Sequence, residues 1–279
     1  MSELIIRTML PHELKVAIEW ARIEGWNPGL EDAALFYQAD PEGFFVAELA
    51  GDIVAVGSAV RYDANFAFCG LYIVAPEHRG KGYGLALTKH RLAYCGERNI
   101  GIDGVLENVE IYQRVGYQPY YQNKRFQKCA TAHDVSSTIQ DVTVQHIDAV
   151  IAYDQQCFPA KRDMFLKGWL QQKNGKSLCV IENGQVRGYA VRRQCVEGYK
   201  VGPLFADSKA VATQLLSALQ QDIIGEIIIL DVPENNPLAI ELAVGEHMDV
   251  VFATSRMYQH GLPDIAHHKI YGITTFELG

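Results

Sequence analysis

The sequence lacks the features that mark several large protein classes. Its six cysteines, Cys69, Cys95, Cys129, Cys157, Cys179 and Cys195, contain no C-x-x-C and no zinc-like spacing, which predicts reduced core thiols and no metal site. His267-His268 reads as surface rather than as metal ligands. No apolar run approaches the ~20 residues that span a bilayer. The first residues lack a basic region followed by a long apolar segment, so a cytoplasmic location with no membrane partner is expected. Positive charge is also scarce: 25 Lys and Arg against 33 Asp and Glu leave a net charge of −8. That balance argues against a nucleic-acid partner and sooner attracts a cationic substrate. Hydrophobic residues at 48% and charged residues at 21% exclude a disordered chain, and 279 residues suffice for one large or two medium domains.

What is present is a duplication. Phe44 to Leu49, the turn Ala50-Gly51-Asp52 and Ile53 to Val60 read as a β-hairpin. Leu178 to Glu182, Asn183-Gly184-Gln185 and Val186 to Val191 repeat it, with Asn-Gly as the turn signal. A helical stretch precedes each hairpin, Pro11 to Ile23 in the first half and Ile147 to Asp154 with Met164 to Gln171 in the second. Gly51 and Gly184 lie half a chain apart, and the same offset places Leu71 on Leu204. The expectation is two copies of one α/β unit, residues 1–130 and 141–279, joined by a polar linker at about 129–141.

The first copy carries a candidate anion site. The near-continuous apolar strand Phe66 to Val74 is broken by Ala75-Pro76-Glu77-His78, and Arg79-Gly80-Lys81-Gly82-Tyr83-Gly84 leads into a helix. The first N–H groups of a helix have no internal partners and sit at the positive end of its dipole, glycines let a phosphate approach the backbone, and Arg79 and Lys81 add charge. A solvated basic loop is the alternative. The dinucleotide pattern G-x-G-x-x-G fails because Leu85 stands where the third glycine is needed, and no Walker sequence is present.

The pattern R-x-x-G-x-G after a strand resembles the coenzyme A pyrophosphate loop of the GCN5-related N-acetyltransferase (GNAT) superfamily. Ile100 to Val105 resembles that superfamily's next strand, and Ile111-Tyr112 to Gly116-Tyr117 its Tyr-x-x-x-Gly-Phe ending. In the second half, Ile227 to Val232 followed by Asn236-x-x-Ala239 is similar to its strand and asparagine-led helix. The whole chain, with Glu24 to Gly29, Arg256-Met257-Tyr258 and Tyr271 to Gly279, resembles a bacterial tandem acetyltransferase group whose second copy is divergent.

The resemblance implies two GNAT-like domains, each a mixed, mostly antiparallel sheet flanked by helices. It implies acetyl-CoA bound by the first copy and an acetyl group moved to an amine of a small or amino-acid-like acceptor. A non-catalytic acyl-CoA sensor with the same fold is the alternative, and a homodimer stays open. Tyr72, Ile73 and Val74 would hold the pantetheine arm, Arg79, Gly80, Lys81, Gly82, Tyr83 and Gly84 the pyrophosphate, and Tyr112 the sulfur and its proton. Tyr112 also reads as a half-buried helix tyrosine. Val105 stands where the family asparagine belongs, seven residues before Tyr112, so Asn108 does not inherit that role. Asp103, in an apolar strand, is either a base or a hydrogen-bonded structural carboxylate. Trp26 and Asn27 fall in the region that covers the acceptor, although Trp26 also reads as core. In the second copy residues 203–224 contain neither glycine nor arginine, Asp207 is placed to cap the helix itself, and Ala243 stands where the tyrosine would be.

Overall fold

The computed structural model describes residues 3–134 and 137–279. Met1 and Ser2 of the expected first unit, and Val135 and Ser136 of the expected linker, lie outside the described residues. The first half runs β1 (Leu4–Thr8), α1 (Leu14–Ile23), α2 (Asp32–Ala39), β2 (Phe44–Leu49), β3 (Asp52–Arg61), β4 (Phe66–Val74), α3 (Tyr83–Cys95), β5 (Asn99–Val105), α4 (Val109–Arg114) and β6 (Gln118–Cys129). The second runs β7 (Ile139–Asp141), α5 (Ile147–Asp154), α6 (Asp163–Trp169), β8 (Gly175–Glu182), β9 (Gln185–Gln194), β10 (Tyr199–Ala206), α7 (Lys209–Ala218), β11 (Ile227–Pro233), α8 (Pro237–Gly245), β12 (Asp249–Tyr258) and β13 (Ile270–Gly272). No described helix is long and apolar enough to cross a membrane.

Both expected hairpins form, and each turns on two residues in the left-handed region: Ala50 and Gly51 at φ 56° and 94°, Asn183 and Gly184 at 51° and 77°. Two successive positive φ values make the turn that matches strand twist, which is why Gly and Asn stand there. Hairpin pairing then extends to β1-β2-β3-β4 on one side and β7-β8-β9-β10 on the other.

The halves are joined by exchanged strands. The sheet order β5-β12-β6-β11 places β12 of the second half beside β5, and β6 of the first half beside β11. Both junctions are antiparallel, with Asp103 opposite Arg256 and Arg125 opposite Asp231. One mixed sheet therefore runs through the molecule. One face is shared, where α1 and α2 meet α5 and α6 around Phe36, Phe44, Phe165, Trp169 and Tyr189. Phe36 and Trp169 stack there with ring centroids 6.2 Å apart. On the opposite face α3 covers the first half and α7 and α8 the second. Five cysteines are buried thiols, whereas Cys129 is exposed where β6 leaves the sheet.

Candidate active site

The parallel strands β4 and β5 pair only at their beginnings, Phe66 to Phe68 against Asn99 to Gly101, and then separate. Separation is enforced from both sides. β5 continues against β12, while β4 follows β3 through a bulge at which Leu71 takes φ 46°, an uncommon conformation for leucine. Arg91 of α3 holds the bulge, donating from Nε to the Ser58 carbonyl at 2.8 Å and from Nη2 to the Gly70 carbonyl at 3.2 Å. The backbone of Leu71 to Val74 thus has an edge that no strand among the described residues covers, and it faces a cleft of about 670 Å³.

At one end of this cleft is the glycine turn. Gly80 and Gly82 have φ 75° and 88°, and a Cβ on either would meet only open space, so their requirement is conformational. Gly84 is needed for a different reason: a Cβ there would collide with the Tyr72 hydroxyl and with Val74. None of the backbone N–H groups from Gly80 to Leu85 has a hydrogen-bond partner among the described residues, the first helical bond being Ala86 N–H to Gly82 at 3.1 Å. Of these six residues Gly80, Gly82, Gly84 and Leu85 line the cleft, and unpartnered N–H groups at a helix start fit a pyrophosphate. Arg79 folds back on the turn, with Nε on the Val74 carbonyl at 2.9 Å and Nη2 on Glu24 at 2.5 Å. Its charge is thereby partly engaged before any ligand arrives.

Along the walls lie Asp103, Asn108 and Tyr112. Gly104 lets the Tyr112 ring lie on β5, since a Cβ there would clash with that ring. Burial pushes the Tyr112 phenol up, eased by Arg91 and Asn108, so it stays protonated at neutral pH. Asp103 differs. Its Oδ1 accepts from Asn123 Nδ2 at 2.6 Å, Arg256 Nε at 3.0 Å and Thr254 Oγ1 at 3.3 Å, and its Oδ2 from Arg256 Nη2 at 2.6 Å. Burial is the larger influence and pushes its carboxyl up, against the opposing pull of Arg256 and Asn123, while four donors occupy its two oxygens.

The far end reaches the seam between halves, where Trp26, Arg125, Phe252, Phe276 and Glu277 close it. The Trp26 carbonyl is fixed by Lys200 Nζ at 2.8 Å and Arg125 Nη1 at 3.2 Å. Burial lowers the Lys200 amine to about 8. A smaller cavity of about 260 Å³ adjoins this end, sharing Trp26, Arg125 and Phe252 and adding Asn27, Gln127 and Glu197.

Of the residues singled out from sequence, Trp26, Tyr72, Ile73, Val74, Arg79, Gly80, Gly82, Gly84, Asp103 and Tyr112 meet on one cleft. Lys81 is exposed outside its lining, and Tyr83 packs on His78, ring centroids 5.9 Å apart. Asn27 lies in the smaller cavity, where its amide bridges the halves by bonding the Glu197 carbonyl at 2.8 Å and the Glu197 N–H at 2.9 Å. Arg125, Phe252, Phe276 and Glu277 carried no assigned role in the sequence reading; the buried charges of β6 and the apolar setting of Glu277 were the available signals.

The corresponding gap of the second half is filled from within. β10 and β11 pair only over Tyr199 to Val201, then part, and β13 enters between them, with Leu204 opposite Gly272 and Phe205 opposite Ile270. The Ile273 N–H continues onto the Asp231 carbonyl at 2.9 Å. The helix there is capped by Ser208, whose hydroxyl accepts from Val211 N–H, and not by Asp207. Asp207 instead binds Lys269 at 2.9 Å and Tyr153 at 2.8 Å.

Comparison with known proteins agrees with this geometry. Models of the acetyltransferase (GNAT) family and of the acetyltransferase (GNAT) domain match residues 12–117 and 150–272, one in each half. A holothin acyltransferase from a Pseudoalteromonas species is 32% identical over 269 residues, 96% of this chain and 92% of that protein. A Pyrococcus horikoshii crystal structure assigned as an acetyltransferase superposes with a TM-score of 0.85 at 21% identity, covering 99% of this chain and 96% of that one. A tandem GNAT protein from the clavulanic acid biosynthesis pathway gives 0.64 at 12% identity, over 92% and 98% of the two chains. Splayed strands, open glycine turn and whole-length relationship lead to one conclusion: this chain belongs to the GNAT acetyltransferase family, in tandem form, and is an acyl-CoA-dependent N-acyltransferase.

Proposed function

We propose that the first half binds acetyl-CoA and transfers its acetyl group to the amine of a small molecule admitted at the seam between the halves. The observation that carries this reading is the continuity of one cleft from the unpartnered N–H groups of Gly80 to Leu85, past the open edge of β4, to the aromatic end at Trp26, Phe252 and Phe276. When bound, acyl-CoA supplies an activated thioester. The turn holds its phosphates, Leu71 to Val74 offer backbone groups to the pantetheine amides, and the protonated Tyr112 gives its proton to the departing sulfur. Asp103 serves as the anchor of Arg256 and fixes β5 to β12. Trp26 walls the acceptor chamber, and Asn27 holds that wall to the second half.

The chamber's size favours a small acceptor over a folded protein, since the adjoining space is about 260 Å³. The name of the Pseudoalteromonas relative makes holothin the first acceptor to try. The second half contributes walls and holds no coenzyme, because β13 occupies its gap. Purified protein incubated with acetyl-CoA and holothin or a panel of small amines, read as free thiol and by mass of the acylated product, tests the reading. Thiol release no faster than hydrolysis across the whole panel would reject it.

A further inference from the structure

Residues 273–279 leave β13 and cross from the second half into the first, passing both places where parallel strands part. Gly202 of β10 admits this segment, since a Cβ there would collide with the Thr274 carbonyl oxygen. At Gly70 of β4 the carbonyl of Glu277 packs so closely that any side chain is excluded. The Tyr62 hydroxyl holds the Leu278 carbonyl at 2.8 Å, and Thr275 Oγ1 accepts the N–H groups of Glu277 and Leu278 at 3.1 and 2.9 Å. The segment is therefore fixed, and it sets Glu277 beside the residue before the bulged Leu71, on the lining of the cleft.

Glu277 is 6% exposed, and its carboxylate has no hydrogen bond or ion pair among the described residues. The other buried acids are all engaged: Glu13 with Arg7, Asp32 with Arg193, Asp154 with Arg162, Asp231 with Arg125. The cations facing Glu277 are already held, Arg125 by Asp231 at 2.7 Å, Arg193 by Asp32 at 3.0 Å and Lys200 by the Trp26 carbonyl at 2.8 Å. Arg125, Arg193 and Lys200 all lie within electrostatic reach of Glu277, yet none of them occupies its oxygens. A buried, unpaired carboxylate is costly, and its natural complement is a donor brought by a ligand. Around it stand Trp26, Phe252 and Phe276, which suit a flat or apolar body more than a second charge.

We propose that Glu277, supplied by the second half, is a catalytic residue of the first: it receives the amine of an acceptor carried on an aromatic or apolar body and takes its proton. This rests on the transfer reading above. The amine nitrogen bonds the acyl carbon as the carbon–sulfur bond breaks; the proton lost by nitrogen passes to a Glu277 oxygen, and the sulfur takes the proton of Tyr112. The products are an amide and the coenzyme thiol, and a proton returned from Glu277 to Tyr112 resets the site.

The test compares wild type with Glu277→Gln and Glu277→Asp, using acetyl-CoA with holothin and with benzylamine, alongside calorimetric titration of each amine into the protein saturated with coenzyme A. Glu277→Gln should bind coenzyme A and melt as wild type does, lose kcat by ~10²–10⁴-fold and weaken amine binding, with Glu277→Asp recovering part of both. Wild-type turnover and unchanged acceptor KM in a folded Glu277→Gln protein would overturn the proposal while leaving the transfer reading intact. A wild type that binds amines in a Glu277-dependent manner yet transfers nothing would remove the transfer reading and keep the subsite. Amines that bind neither protein, with no turnover, would remove both.

Discussion

The Arg256 guanidinium of β12 grips the Asp103 carboxylate of β5 through two nitrogens, at 2.6 and 3.0 Å, from a position 153 residues further along the chain. Both groups are buried, and the pair locks the exchanged strand of the second half onto the coenzyme-binding half. Removing one partner strands the other charge, so Asp103→Asn should cost about 3–5 kcal/mol in chemical denaturation. A variant that kept full stability but lost transfer would instead make Asp103 a proton acceptor.

Tyr112→Phe should lower kcat by ~10²–10⁴-fold and leave coenzyme affinity unchanged, because only a proton given to the departing sulfur is removed. Steady-state kinetics together with calorimetric titration of coenzyme A separate the two quantities. Equal loss in affinity would make the tyrosine a binding wall.

Two glycines of one turn should fail differently. Gly82→Ala places a side chain at φ 88° facing open cleft, which strains the turn by roughly 1–2 kcal/mol and should weaken coenzyme binding at least about tenfold with the fold retained. Gly84→Val meets the Tyr72 hydroxyl and Val74, so its main effect should be a lower melting temperature. Paired melting and calorimetry would reveal any reversal of this order.

Calorimetric titration with coenzyme A should saturate at one molecule per chain. β13 lies where the second would enter, and Tyr271 at its centre is buried. A second equivalent site would require β13 to leave the sheet, a change visible as lost amide protection at Ile270 to Gly272.

Lys200 sets a pH dependence. Its amine is lowered by burial from 10.5 to about 8, so the unfolded chain holds its proton more tightly than the folded one. The cost of burying the charge is full below about 8 and fades as pH rises towards 10.5. Wild type should therefore gain stability relative to Lys200→Met across that interval in denaturant titrations. A constant difference between the two would show that the folded lysine keeps its ordinary affinity for protons.

How far the sequence could be read follows from the range of each determinant. The Asn183-Gly184 turn, the apolar run Phe66 to Val74 and the glycines before α3 are local signals, and the structure forms a hairpin, a strand and a helix start from them. The helix expected over Pro11 to Ile23 begins as a 3-10 turn at Pro11–Glu13 and becomes α1 only at Leu14. The strand exchange has no local mark: Arg125 and Asp231 are 106 residues apart, and nothing in β6 states which half it will join. Glu277 was hidden for a related reason. Its apolar neighbours Phe276 and Leu278 are a weak local sign, and its environment is assembled from β4, β6, β9 and β10, so three-dimensional proximity is what separates it from an ordinary acidic residue.

The crossing of β6 and β12 also bears on biosynthesis. During translation the first half emerges with the edge of β5 uncovered and β6 lacking both neighbours, and neither can be satisfied until residues beyond 227 have been made. Pairings of such sequence separation are formed late and slowly. The nascent first half is thus a species with open strand edges and no closed catalytic chamber, prone to pair with a second nascent copy at the edge where β12 belongs. Quality control at this stage, by chaperone or by protease, would act on a chain that already carries its coenzyme loop but cannot yet perform chemistry with it.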